Sequence, residues 1–330
     1  MAKQKVFVSR IIPDSGLDLV RAACDMELWE HELPPSREVL LEKVKDKTGL
    51  LSLLTDKVDA AFMDANPQLK VVSNFAVGFD NIDIKAATER GLPVGNTPGV
   101  LTDTTADIAF TLMMAAARRI SESVDYVRAG KWKTWGPMLL MGQDIHHATL
   151  GIVGFGRIGQ AMARRASGFD MRVLYYDTYR REDLEKSMGV GYADIDTILR
   201  ESDFVSVHTD LNPSTRHMFN AEAFAKMKQT AILINSARGP IIDPVALYDA
   251  LKTGQIYAAG LDVTEPEPLP MESPLHSLPN CLIVPHIASA SIATRNKMAE
   301  IAANNLIAGL KGERLLTPVN PEVYERGVRN

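Results

Sequence analysis

The amino-acid sequence predicts an α/β protein made of two doubly wound parallel-sheet domains. Three observations carry that expectation. Short apolar runs alternate with helical patterns through the first hundred residues, as in a parallel sheet covered on both faces. The alternation begins afresh at Thr149, where the segment TLGIVGFGRIGQ reads as an apolar strand, a glycine-rich turn and the start of a helix. The length of 330 residues has room for about two such domains.

In the first domain the apolar runs at 5–9, 26–29, 49–54, 69–74 and 93–96 are predicted strands. The helical stretches between them are 15–23, 36–45, 59–66 and 84–90. The turn residues Asn96-Thr97-Pro98-Gly99 precede a long helical pattern at 103–117, and a second helix at 121–129 leads into the Trp-rich segment GKWKTWGP. In the second domain six strands are predicted, at 150–153, 172–177, 204–208, 231–235, 258–263 and 282–284, the number a complete dinucleotide domain needs. A final helix, Ile292–Leu310, follows the last of them. The first domain is modestly apolar for its length, so this helix is expected to cover it. That placement splits the first domain around the second and puts a ligand cleft at the strand ends.

Composition narrows the function. At 46% hydrophobic and 23% charged residues the chain is ordinary for a globular protein. A net charge of −5 with no basic block excludes nucleic acid as a partner. No run of 18 apolar residues predicts a membrane span. The N-terminal MAKQKVFVSR enters a strand without a secretory core, so a cytoplasmic location is expected. The two cysteines, Cys24 and Cys281, read as small apolar residues, and no metal-binding spacing is present.

The glycine segment has the context that makes its pattern meaningful. Gly154, Gly156 and Gly159 form G-x-G-x-x-G with Phe155, Arg157 and Ile158 between them. The first glycine permits the tight turn, the second lets a pyrophosphate approach, and the third lets the helix pack against the strand. The helix N-terminus offers N–H groups and a positive dipole end to the phosphate. Asp177 ends the next strand, 18 residues after Gly159, followed by Thr178 and Tyr179. A carboxylate there accepts from an adenosine ribose and repels a 2′-phosphate, which favours NADH. Arg180 and Arg181 lie close behind and soften that preference, so NADPH stays an alternative.

Hydride transfer to an anionic substrate also needs a cation and an acid/base. Arg238, in INSARGP after a strand, has the planar fork that holds a carboxylate and a carbonyl together. His286, in PHIAS, suits proton transfer near neutrality. His208 also ends a strand and is its chief rival among the seven histidines. Glu267, in the proline-braced GLDVTEPEPLP, can hold the imidazole, with Asp262 and Glu265 competing for that role.

Taken together, VGFGRIGQ, NSARGPIID, GLDVTEPEPLP and PHIASA, in this order and spacing, resemble the D-isomer-specific 2-hydroxyacid dehydrogenases over essentially the whole chain. The resemblance implies an Arg–Glu–His group on Arg238, Glu267 and His286. It implies a Rossmann coenzyme domain, 100–286, inserted into a flavodoxin-like split substrate domain, 1–99 and 287–330. It also implies a homodimer. Coenzyme contacts then fall on Thr105, the 154–159 loop, Asp177, Thr178, Tyr179, Thr209, Ser236, Ala237, Arg238, Asp262, His286 and Ala288. The substrate carboxylate meets the backbone of Val77 and Gly78 together with Arg238 and His286.

Within the family the chain is most similar to glyoxylate/hydroxypyruvate reductases, through VVSNFAVGFDNIDI, TPGVLTDTTADIAFTLMMAAARR and AANNLIAGLKGE. The expected reaction is reduction of a short 2-oxo acid. A phosphoglycerate dehydrogenase, a relative acting on lactate, phosphite or formate, and an NAD-sensing scaffold are the rivals. Asn74 stands where an arginine for a substrate phosphate is usual, which argues against a phosphorylated acid. Thr209-Asp210 and Asp107 also depart from the common pattern. Trp132 and Trp135 are expected in a core or an interface rather than against substrate.

Overall fold

Two parallel sheets organise the chain in the computed structural model, which describes residues 2–329. One compact unit comprises the chain up to Leu101 and from Ala290 onward, and the other comprises Thr102–Ser289.

The first unit holds β1 (Lys5–Val8), β2 (Asp25–Leu28), β3 (Gly49–Ser52), β4 (Val71–Asn74) and β5 (Val94–Gly95) in the order β2-β1-β3-β4-β5. Neighbouring strands pair in parallel throughout. Every residue of β3 and β4 is buried, because helices cover both faces. Successive side chains go to opposite faces. Val6 and Val8 join a cluster with Leu17, Val20, Met298 and Leu306, from helices Asp14–Ala23 and Ile292–Leu310. Phe7 points the other way and packs with Leu40, Phe62 and Ala87 from helices Arg37–Val44, Ala60–Ala65 and Ile84–Glu89. The final helix is bound to this unit by polar contacts as well. Ser73 Oγ donates to Ala302 O at 2.8 Å, and the buried Asn305 side chain donates to Asn96 O at 3.0 Å.

The second unit holds β6 (Thr149–Val153), β7 (Arg172–Tyr176), β8 (Gly191–Tyr192), β9 (Phe204–Val207), β10 (Ile232–Asn235), β11 (Ala258–Leu261) and β12 (Cys281–Ile283). Their order is β12-β11-β10-β9-β6-β7-β8, again all parallel. The strand order reverses between β6 and β9, which is where open α/β sheets bind ligands. Helices Thr102–Ala117 and Arg157–Ser167 cover one face through Met113, Met162 and Ala166. Helices Ile195–Glu201, Ala221–Lys226 and Pro244–Thr253 cover the other through Ile198, Phe224 and Leu247.

All six runs expected in this sheet are strands, but the sheet has seven. The additional one, β8, is two residues long at the edge, and Tyr192 is exposed. An edge strand that short buries too little to leave an apolar run in the sequence. Trp132 and Trp135 are not core residues of the chain, being 61% and 78% exposed. Among the described residues no helix is long and apolar enough to cross a membrane.

Candidate active site

The turn after β6 is shaped by its three glycines. Gly154 has φ +93°, and a Cβ there would lie 2.6 Å from the backbone of His208 and Thr209. Gly159 has no room either, since a Cβ would sit 2.2 Å from Gly154 O. Gly156, which caps helix Arg157–Ser167, is different: a Cβ there would meet nothing within 4 Å. Two glycines thus permit close packing of the protein on itself. The middle one leaves open space at the positive end of a three-turn helix, where a phosphate is favoured.

Asp177 faces this turn. Its Oδ2 accepts from Phe155 N–H at 2.6 Å, and its Oδ1 accepts from Tyr179 N–H at 3.1 Å. Thr105 lies buried in the first turn of helix Thr102–Ala117. Thr209 follows β9, and Ser236 follows β10 with its hydroxyl buried and without a hydrogen-bond partner in the protein. The cradle at Gly156, the carboxylate at Asp177 and the orphan Ser236 hydroxyl fit a dinucleotide.

Three loops at the carboxyl ends of β10, β11 and β12 carry Arg238, Glu267 and His286, the residues expected to react. The loop after β10 is folded by Asn235, which is fully buried. Its Oδ1 accepts from Ala237 N–H at 3.0 Å and its Nδ2 donates to Arg238 O at 2.9 Å. This turn presents the Arg238 side chain, whose Nη1 donates to Ala237 O at 2.8 Å. Gly239 then passes so close to the neighbouring loop that a Cβ would lie 1.9 Å from Thr264 O.

His286 follows β12 with φ +52°, a left-handed conformation uncommon for a residue with a side chain. Its ring meets Glu267, with Nδ1 2.5 Å from Oε1. Asp262 holds the loop from beneath. It is 1% exposed, and it accepts Ile287 N–H on Oδ1 at 2.7 Å and Ala288 N–H on Oδ2 at 3.0 Å. Burial raises its pKa, while the two N–H donors and His286 oppose that shift.

The three acids that compete in the sequence therefore do different things. Glu267 takes His286, and Asp262 takes the backbone behind it. Glu265 binds Arg216 and His217, the latter with Nε2 2.5 Å from Oε2. His208 is also accounted for. Its Nε2 lies 2.8 Å from Ser206 Oγ, and desolvation among the surrounding atoms pushes its pKa down to about 4. That leaves it a poor proton carrier near neutrality.

In the first unit, the loop after β4 is strapped inward by asparagines. Asn96 Nδ2 donates to Val77 O at 2.8 Å, and Asn74 Nδ2 donates to Gly78 O at 3.0 Å. With both carbonyls engaged, the N–H groups of Val77 and Gly78 are left without a backbone acceptor among the described residues. Asn74 is fully buried and also accepts from Ser52 Oγ at 3.0 Å. The bracing roles of Asn74, Asn96 and Asn235 were missing from the sequence reading. The only trace they leave is a polar residue at the end of an apolar run.

Comparison with known proteins agrees with this geometry. Residues 110–288 match the family model described as D-isomer specific 2-hydroxyacid dehydrogenase, NAD binding domain. The chain belongs to this family. It is accordingly an NAD(P)-dependent oxidoreductase. A glyoxylate reductase of Korarchaeum cryptofilum is 55% identical over 98% of both chains. A solved structure of a Thermus thermophilus protein shares 44% identity at a TM-score of 0.90, covering 96% of this chain and 99% of that one. An NADPH-dependent glyoxylate/hydroxypyruvate reductase of Sinorhizobium meliloti, solved with NADP and malonate, shares 33% identity at a TM-score of 0.86, covering 97% and 98%.

Two expectations follow from the site. Asp262→Asn keeps one acceptor but turns an amide N–H toward the second backbone N–H. Turnover, measured at saturating coenzyme, should fall by roughly a hundred-fold through misplacement of His286. Unchanged turnover would remove Asp262 from the positioning role. His208 concerns stability. Its folded pKa lies below its ordinary value of 6.5, so the unfolded chain takes up the proton first. The stability it contributes is full above that value and lost as pH falls toward 4. Thermal unfolding of His208→Asn should therefore decline less steeply than wild type over this acid range.

Proposed function

We propose that the chain is a glyoxylate/hydroxypyruvate reductase, a cytoplasmic enzyme that reduces short 2-oxo acids to D-2-hydroxy acids with a preference for NADH. The observation that carries this reading is the His286–Glu267 pair beside the Arg238 loop, at the strand ends next to a dinucleotide cradle. When bound, the reduced nicotinamide supplies the hydride. The residues do the rest. Arg238 holds the substrate carboxylate and polarises the carbonyl through its planar fork. Val77 and Gly78 offer backbone N–H groups to the carboxylate. His286 delivers a proton from Nε2 to the forming alkoxide, while Glu267 at Nδ1 fixes the ring. Asp177 favours a free 2′-hydroxyl on the adenosine ribose.

A small, non-phosphorylated acid is supported by Asn74. Its side chain is a neutral amide spent on Ser52 and Gly78, so this position itself offers no positive charge to a substrate phosphate. The names of the relatives support the same substrate class.

NADH consumption with glyoxylate, hydroxypyruvate, pyruvate and phosphohydroxypyruvate tests the reading. The first two should turn over fastest, and NADPH should be the poorer coenzyme. His286→Ala should lower kcat by about 10²–10⁴ and leave NADH binding intact. Wild-type-like turnover in this variant would end the assignment of His286.

We also infer a homodimer. Ile120, Val127, Trp132, Trp135, Met138 and Met141 are all more than half exposed within one stretch of chain, a concentration of apolar surface that marks an association face. Light scattering should give twice the chain mass, and Trp135→Glu should shift the population toward monomer. A monomeric wild type at working concentration would contradict it.

A further inference from the structure

The segment after Asp177 contains two arginines, the residue type that accommodates a 2′-phosphate in this position of a dinucleotide fold. Neither is offered to solvent as a lone charge. Arg180 donates to Glu185 twice, from Nε to Oε1 at 2.8 Å and from Nη2 to Oε2 at 2.9 Å. Its guanidinium also lies over the Tyr192 ring, 5.5 Å from the centroid. Glu185 is itself fixed, with its side chain 18% exposed and its Oε1 accepting from Tyr175 Oη at 2.9 Å. Arg181 pairs with Asp183, but that contact is more exposed.

The network is anchored at the coenzyme turn. The buried Tyr175 ring stacks on Phe155 at 4.1 Å, and the Phe155 N–H is the one held by Asp177. The Tyr175 hydroxyl accepts from Arg181 N–H at 2.7 Å. Glu185 is therefore positioned by the same residues that build the ribose side of the cradle. From Asp177 to Glu185 the charges are Asp177, Glu182, Asp183 and Glu185 against Arg180 and Arg181, four negative and two positive, with Lys186 next in the chain. Both arginines are paired with a carboxylate.

We propose that Glu185 is a coenzyme-specificity determinant. It occupies the Nε–Nη2 edge of the Arg180 guanidinium, draws that cation toward itself and so weakens its attraction for an adenosine 2′-phosphate. Asp177 supplies the repulsion, and Glu185 weakens the nearby attraction that would offset it. The proposal rests on the NADH preference inferred above. It differs from that inference in placing part of the preference on a residue that never touches the coenzyme.

Calorimetric titration with ADP-ribose and 2′-phospho-ADP-ribose tests this directly and does not depend on turnover. Wild type should bind ADP-ribose more tightly. The opposite order would overturn the NADH reading and the proposal built on it. Glu185→Gln keeps the side-chain shape and should tighten binding of the 2′-phosphorylated ligand by roughly ten-fold, with ADP-ribose changed by less than about two-fold. Adding Arg180→Ala should abolish the gain. An equal change for both ligands, no change for either, or a gain that survives without Arg180 would overturn the role of Glu185 while leaving Asp177 and the NADH preference standing.

Discussion

The parallel register of β10, β11 and β12 is the constraint on which the candidate site of the second unit depends. Asn235, Leu261 and Ile283 stand side by side across the three strands. The ladder then continues one step beyond the strands. Asp262 N–H donates to Asn235 O and His286 N–H donates to Asp262 O, both at 2.9 Å. Backbone hydrogen bonding of the sheet itself therefore sets the spacing between the Arg238, Glu267 and His286 loops. The side chains then refine it. Asn235 curls the first loop, Gly239 lets it lie against the second, and Asp262 grips the third. A site on strand ends inherits the stiffness of the sheet.

Much of the fold was legible because both sheets are parallel and covered on both sides. Their central strands must be apolar throughout, and runs such as Leu150, Ile152 and Val153 or Ile232, Leu233 and Ile234 stand out against helical spacing. What escaped was β8, whose two residues sit on an edge and carry no hydrophobic signal. The glycine turn was legible because Gly154 and Gly159 each answer a steric demand that a side chain would break, while Gly156 leaves open space between them.

The chemistry was less legible. Residue type and strand-end position bring Arg238 and His286 forward, but they do not separate His286 from His208, or Glu267 from Glu265 and Asp262. That separation is three-dimensional. Asp262 is buried under the loop, Glu265 faces Arg216 and His217, and His208 is desolvated beside Ser206. The resemblance to a family names the trio Arg238, Glu267 and His286 because its motifs carry such an arrangement implicitly. The bracing asparagines Asn74, Asn96 and Asn235 were invisible for a related reason. A buried amide that satisfies backbone groups across a loop has no periodicity and no partner nearby in sequence.

The alternation Glu265-Pro266-Glu267-Pro268 has an evolutionary consequence. Two carboxylates two residues apart reach opposite ways, one to His217 and one to His286. Inserting or deleting a residue here would exchange their directions or bring a proline into line with an imidazole. The length of this loop is therefore frozen by geometry. Descendants that acquire new substrates must do so elsewhere on the chain, at positions whose side chains are not tied to a single partner.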